Sequence, residues 1–127
     1  MESERVAQLI RKRFAEHYQR TPVAWPNAAF TPPDDEPWVR LTILGGDGRQ
    51  VATAGRRLRR VGVVKVQVFV PEGSGDPQAR SIADEVASLF EAGTYEGIRF
   101  RASDLEHVGP DGASYQLNVS IPFEWDE

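Results

Sequence analysis

The sequence predicts an α+β fold: a mainly antiparallel sheet of about five strands with two helices packed on one face, in the order α-β-β-β-α-β-β. Three observations predict it. Within Arg60–Pro71, Val64, Val66, Val68 and Val70 share one parity while Lys65, Gln67 and Phe69 share the other. That period of two marks a strand with a valine face against a core. Ala79, Ile82, Ala83, Val86, Leu89 and Phe90 recur at helical spacing. The strands are joined by loops rather than long crossovers, which favours antiparallel pairing with both helices on the apolar side.

Residues 3–20 read as the first helix, because Val6, Leu9, Ile10 and Phe14 form one stripe that Tyr18 continues. Ser3 is the expected N-cap and Glu4 suits the positive end of the macrodipole. The arginines and lysine of its C-terminal half are expected on a solvated face. Thr21-Pro22 ends the helix, since the residue before a proline is pushed out of the α region. Val23–Pro26 is a short edge strand, with Trp25 expected as a lid over one end of the core. Asn27–Pro37 is a proline-stiffened loop carrying Asp34, Asp35 and Glu36.

Trp38–Leu44 alternates and forms the next strand, broken by Gly45-Gly46-Asp47-Gly48. Gly45–Arg59 is the long connection of an antiparallel hairpin, with 50–53 as a candidate extension of the ribbon. The central strand ends at Pro71, which cannot donate to a ladder. Asp76 is expected as N-cap of the second helix, Pro77 fits the first helical position and Gly93 lies past its end. Residues 98–103 and 115–123 alternate as the last two strands, joined by a hairpin loop over 108–112. Phe69, on the polar face of the central strand, is expected to pack under a helix or loop; it is also a candidate interaction residue.

At 127 residues the chain reads as a single domain over 1–127, long enough to bury a core without disulfide or metal. It has no cysteine, which excludes disulfides, a thiol nucleophile and zinc–thiolate sites. No window approaches a membrane span, and the N-terminus has no apolar signal core, so a cytosolic location is expected. The net charge of −4 argues against nucleic-acid binding driven by overall charge.

The sequence carries no convincing catalytic set. His17 and His107 are the only histidines. Ser103, Asp104 and His107 are sequence neighbours, not a nucleophile, base and orienting group, and His107 is expected in a loop. The 72–77 turn leads from a strand into a helix, but Glu72 and Asp76 would repel a phosphate there. No cofactor and no metal is expected. The sharpest feature is the cluster Arg56, Arg57, Arg59 and Arg60, four arginines in five residues. It could face phosphates or a carboxylate-rich protein surface, or project as a solvated arm with arginines on both faces of a ribbon.

Trp25-Pro26-Asn27, Trp38-Val39-Arg40, the run from Arg60-Val61-Gly62 to Val68-Phe69-Val70-Pro71, Gly75-Asp76 with the helix after it, and Tyr115–Phe123 follow one another in this order. In these stretches the chain resembles the lambda-type minor tail protein U family, the tail terminators of long-tailed phages, and prophage-encoded tail-completion proteins similar to it. The resemblance implies a non-enzymatic virion protein. Such a protein caps the tail tube as a homohexameric ring and offers a head-joining surface. The implied partners are a second copy, the tail tube protein and a head–tail connector protein, with DNA only passing through the lumen and no membrane. The implied location is the virion tail, and the host cytoplasm during assembly. The family supplies no motif to carry over by position. From charge alone, Asp34, Asp35 and Glu36 on one side and the Arg56–Arg60 arm on the other are expected as subunit or partner contacts. A small nucleic-acid-binding module using the same arm is the competing expectation.

Overall fold

The computed structural model describes residues 2–50, 58–73, 75–91, 93–111 and 114–127, with the backbone alone at 46–50 and 111. Among the described residues two helices, α1 (Ser3–His17) and α2 (Gly75–Phe90), accompany seven strands. These are β1 (Val23–Ala24), β2 (Trp38–Gln50), β3 (Leu58–Pro71), β4 (Thr94–Tyr95), β5 (Ile98–Phe100), β6 (Asp104–Asp111) and β7 (Ser114–Asp126). The sheet order is β1-β2-β3-β7-β5-β4, and β6 also pairs with β7. All pairings are antiparallel except β1 with β2. The α+β class and the antiparallel character therefore hold, but five strands become seven.

The valine parity of the central strand is realised: Val64, Val66 and Val68 are fully buried. Each contributes on the order of 1.5–3 kcal/mol of burial. They share the core with Val39 and Leu41 of β2, Leu117, Val119 and Ile121 of β7, and the apolar stripes of both helices. An aromatic chain runs through this layer. Trp25 meets Phe14 edge-on at 5.9 Å, Phe14 stacks on Phe90, and Phe90 leads through Phe100 and Phe123 to Trp125. Trp25 is thus the expected lid.

Several boundaries differ from the sequence reading. α1 stops at His17, where the Tyr18 amide donates to the Phe14 carbonyl, because the chain must turn extended so that Pro22 accepts from the Val39 amide. Its N-cap is Glu2, without a side-chain cap, and Ser3 lies inside the helix. Its basic residues are not simply solvated. Arg13 Nε donates at 2.9 Å to the Leu89 carbonyl, one of the last orphan acceptors of α2, and Arg20 reaches Ser81 and Glu85. Asp76 sits in the first turn of α2 and pairs with Arg80 rather than capping. α2 ends at Phe90. The Gly93 amide donates to the Phe90 carbonyl and the Phe100 amide to the Gly93 carbonyl, so Gly93 ties the helix end to β5.

In the connection assigned to 45–59 the described residues, 45–50 and 58–59, are strand, and the ribbon extension expected over 50–53 lies outside the described residues beyond Gln50. β2 continues to Gln50 and β3 begins at Leu58, paired with it, across a register shift between Gly45 and Asp47. The crossing is close. A Cβ on Gly62 would lie 2.5 Å from the Phe123 ring and 2.7 Å from the Leu44 carbonyl, and one on Gly45 (φ +149°) 2.5 Å from the Gly62 Cα. Only glycine lets these backbones and the Phe123 ring meet. Residues 94–98 form an unanticipated hairpin whose two-residue turn, Glu96-Gly97, has both φ values positive. The strand expected over 98–103 ends at Phe100 as β5, and an unanticipated strand, β6, begins at Asp104 and runs through most of the expected 108–112 loop with a bulge between His107 and Gly109. His107 is therefore a strand residue.

Candidate assembly surface

The helices cover one face of the sheet and leave the other open. Cross-strand pairs share a face, so the register writes this open face as rows. Trp38 pairs with Phe69, which pairs with Gln116; Arg40 with Gln67, Asn118 and Glu106; Thr42 with Lys65, Ser120 and Asp104; Leu44 with Val63 and Pro122. The upper rows are anchored. Phe69 stacks on Trp38 at 4.2 Å, Phe30 of the preceding loop lies 5.1 Å from Trp38, and the Arg40 guanidinium sits over both stacked rings. Phe69 is thereby buried beneath a loop. Below it, the Gln116 amide donates to Asn118, and the buried Asn118 amide donates at 3.1 Å to Glu106. These polar groups survive burial on an otherwise open face because they satisfy one another.

Under the Leu44 row the face opens into a groove of about 670 Å³ with Val61, Val63 and Pro122 among its lining and Arg59, Arg101 and Glu124 at its charged end. A cluster organised by Glu124 forms that end. The Glu124 side chain is only 6% exposed; its Oε2 lies 3.0 Å from both Arg59 and Arg99, and its Oε1 accepts from both Nε and Nη2 of Arg101. Asp126 takes Arg59 at 2.9 Å and Arg99 at 3.2 Å, and Arg60 reaches Glu127. Arg101 and Arg99 hold the Glu124 carboxyl below its ordinary pKa, and Arg59 does the same for Asp126. In return, Glu124 raises the pKa of Arg99 and Asp126 that of Arg59.

The sequence-predicted residues distribute as follows. Arg59 lies on the open face against β7, while Arg60 is paired with Trp125 in the ladder and so projects to the other face. The alternation expected of a ribbon is present at these two positions, and both are engaged within the chain. Arg56 and Arg57 lie outside the described residues. Asp34, Asp35 and Glu36 are exposed in the loop before β2. They adjoin the Trp38 end of β2, whereas Arg59 pairs near its Gln50 end. The structure therefore does not bring the acidic loop and Arg59 together within one chain. The Glu124 cluster was missed, although Arg99, Arg101 and the acidic tail are all visible in the sequence; only the β5–β7 register reveals that they meet.

Among the described residues Ser103 and His107 do not meet as a nucleophile and base. Ser103 donates to Glu91 rather than to His107, which lowers the Glu91 pKa. His107 instead contacts the Tyr115 hydroxyl, which donates to Asp76. That bond, followed by Arg80, lowers the Asp76 pKa, while burial and then Asp76 raise that of Tyr115. Among the described residues no group of three or more His, Cys, Asp or Glu is placed to hold a metal ion, and no helix is long and apolar enough to cross a membrane.

None of the curated proteins compared matches the chain. A solved structure 24% identical in sequence superposes with a TM-score of 0.74 over 98% of this chain and 96% of that one, which shows a shared fold. A family model described as phage tail terminator protein matches residues 5–123. Matched from α1 into β7, the chain belongs to the phage tail terminator protein family and is a structural component of the phage tail.

Proposed function

We propose that residues 1–127 act as one tail-terminator domain that caps the tail tube as a homohexameric ring, stops its growth and offers the head-joining surface, without catalysis. The family match over 5–123 carries this reading, and the open sheet face opposite the helices supplies the area for subunit and partner contacts. In this role the protein meets a second copy of itself, the tail tube protein and a head–tail connector protein. DNA passes through the lumen, and the protein works in the host cytoplasm before joining the virion.

The acidic loop Asp34–Glu36 and the arginine arm are candidate partner surfaces. The 13-residue β2 separates them, roughly 40 Å at strand rise. That separation suits contacts at opposite ends of the ring better than contacts between neighbours in it. Arg59 and Arg60 already satisfy Glu124, Asp126 and Glu127, which weighs against a nucleic-acid module built on the arm and leaves Arg56 and Arg57, outside the described residues, as its remaining candidates by sequence. Phe69 contributes by holding the loop through Trp38 rather than by direct contact.

The test is complementation of terminator-deficient tails, with light scattering and negative-stain images of the purified protein. Wild type is expected to form closed rings and tails of uniform length. Arg56→Glu with Arg57→Glu is expected to keep the circular-dichroism spectrum but lose head joining. Tails of normal length in the complete absence of the protein would overturn the terminator reading; normal particles from the double variant would remove the arm from it.

A further inference from the structure

The three large apolar side chains left exposed among the described residues are Leu44, Leu105 and Val108. All three lie on β2 and β6. These are also the strands with an open side: β1 covers β2 only at Val39 and Arg40, and β6 has β7 as its only partner among the described residues. The Val39 amide donates outward to the Pro22 carbonyl at 3.1 Å. By strand alternation the N–H and C=O groups of Leu41 and Ile43 point to that same outer side. A register shift follows Gly45 in β2, and another follows His107 in β6. Bulges of this kind blunt an edge against indiscriminate pairing. They leave two short regular segments, 41–45 and 104–107.

We propose that the outer edges of β2 and β6 are the two halves of one subunit contact, with β6 of one copy pairing antiparallel to β2 of the next. The inference rests on the ring reading above and identifies where neighbouring subunits join. Three features select a second copy as the occupant. First, β2, β3, β7 and β6 are adjacent and successively antiparallel. An even number of alternating strands lets the next copy's β2 continue the alternation after a simple rotation about an axis along the strands. Second, the faces match. Exposed Arg40 lies on the open face, as do exposed Asp104 and Glu106, while Ile43 and Leu105 both lie on the helix face. Third, a like-edge alternative is disfavoured: β6 against β6 would oppose the Asp104 and Glu106 carboxylates of one copy to those of the other. Two different complementary edges make a heterologous contact, the kind that closes into rings.

The chain has no cysteine, which makes disulfide mapping clean. Double variants combine Thr42→Cys or Leu44→Cys with Asp104→Cys or Glu106→Cys, all on the open face, and so sample the available registers. Each is oxidised in concentrated solution and in assembled tails and run on non-reducing gels beside its single-cysteine parents. At least one double variant is expected to give a ladder of covalent multimers, with every parent remaining a monomer. Dimers from a single-cysteine parent would show a like-edge contact and overturn the proposal. Rings seen by native mass spectrometry without any cross-linked ladder would overturn the edge contact while sparing the ring reading. Monomers everywhere, in solution and tails alike, would end both. As a charge test, Arg40→Glu is expected to raise the concentration needed for assembly about tenfold, and Asp104→Arg with Glu106→Arg in the same chain to restore it. Failure of the restored chain to assemble, with its melting curve intact, would count against the proposed pairing.

Discussion

Glu124→Gln tests whether the charged cluster at the end of β7 is a structural fastening. The substitution keeps the size of the side chain and one carbonyl acceptor but removes the charge that meets Arg59, Arg99 and Arg101. A charge-assisted hydrogen bond contributes roughly 1.5–3 kcal/mol, and breaking a fully buried ion pair costs about 3–5 kcal/mol. The cost here falls below that upper range for a structural reason. The three arginine side chains are 35%, 39% and 66% exposed, so they rehydrate, and Arg59 and Arg99 keep Asp126. The expected loss is thus close to one charge-assisted bond, about 1.5–2.5 kcal/mol in urea denaturation at neutral pH, or about 6–10 °C in melting temperature for a chain of this size.

The same variant has a pH signature. The Glu124 pKa is lowered in the folded state from an ordinary value of 4.5. The unfolded chain therefore holds its proton up to a higher pH than the folded one. The stabilisation is fully present above the unfolded value and is lost as pH falls through the lower folded value. Wild type should lose stability on acidification through this window, and the difference between wild type and Glu124→Gln should shrink there. A loss under about 0.5 kcal/mol at neutral pH, or a difference that does not narrow on acidification, would refute the fastening.

The glycine crossing gives a matched series in thermal melts. Gly62→Ala meets only a steric block and should cost about 1–2 kcal/mol, overpacking being partly offset by the reduced entropy of the unfolded chain. Gly73→Ala, with φ +97° and open space around it, carries backbone strain alone, and Gly45→Ala carries both strain and clash and should be the worst. Equal losses at all three positions would contradict the geometry. Phe69→Ala should loosen the loop that Phe30 and Trp38 pin, at about 2–3 kcal/mol for so small a satellite cluster. The readout is faster cleavage by a glutamate- and aspartate-specific protease within Asp34–Glu36, and an unchanged cleavage rate would show that the stack does not hold the loop.

What was legible in the sequence was whatever depended on local period. The valine alternation of β3 and the stripe of α2 are written in side-chain chemistry that any fold must bury, and both appear where the pattern puts them. Elements were missed where backbone pairing overrides composition. Gly45–Gln50 reads as a breaker-rich loop, yet it is strand because Val61 and Gly62 on β3 supply the ladder, and because Gly45 and Gly62 let the backbones approach. The β4–β5 hairpin went unseen because Glu96 occupies a left-handed position that sequence statistics reserve mainly for glycine and asparagine. The end of β5 at Phe100 has a different origin. The alternation continues past Phe100 and the Arg101 amide still bonds the Pro122 carbonyl in the same register, but Pro122 has no N–H to return, and pairing resumes one residue out of step at Asp104 and Ser120.

The functional surface was legible only as inventory. Charge counting singled out Arg56, Arg57, Arg59 and Arg60 because they are adjacent in sequence, yet two of them neutralise the chain's own C-terminal carboxylates. Adjacency measures how much charge a segment carries. It does not say how much of that charge remains after the strands have paired. The features best placed for neighbouring copies are weak in the sequence: one arginine in β2, two carboxylates in β6 and three apolar side chains scattered over sixty-odd residues. They become a pattern only when the sheet order puts them on two edges of one four-strand alternation. For a protein whose work is assembly, the informative residues are those the fold leaves unsatisfied, and the long-range pairing of β7 with β3 and β6 decides which those are.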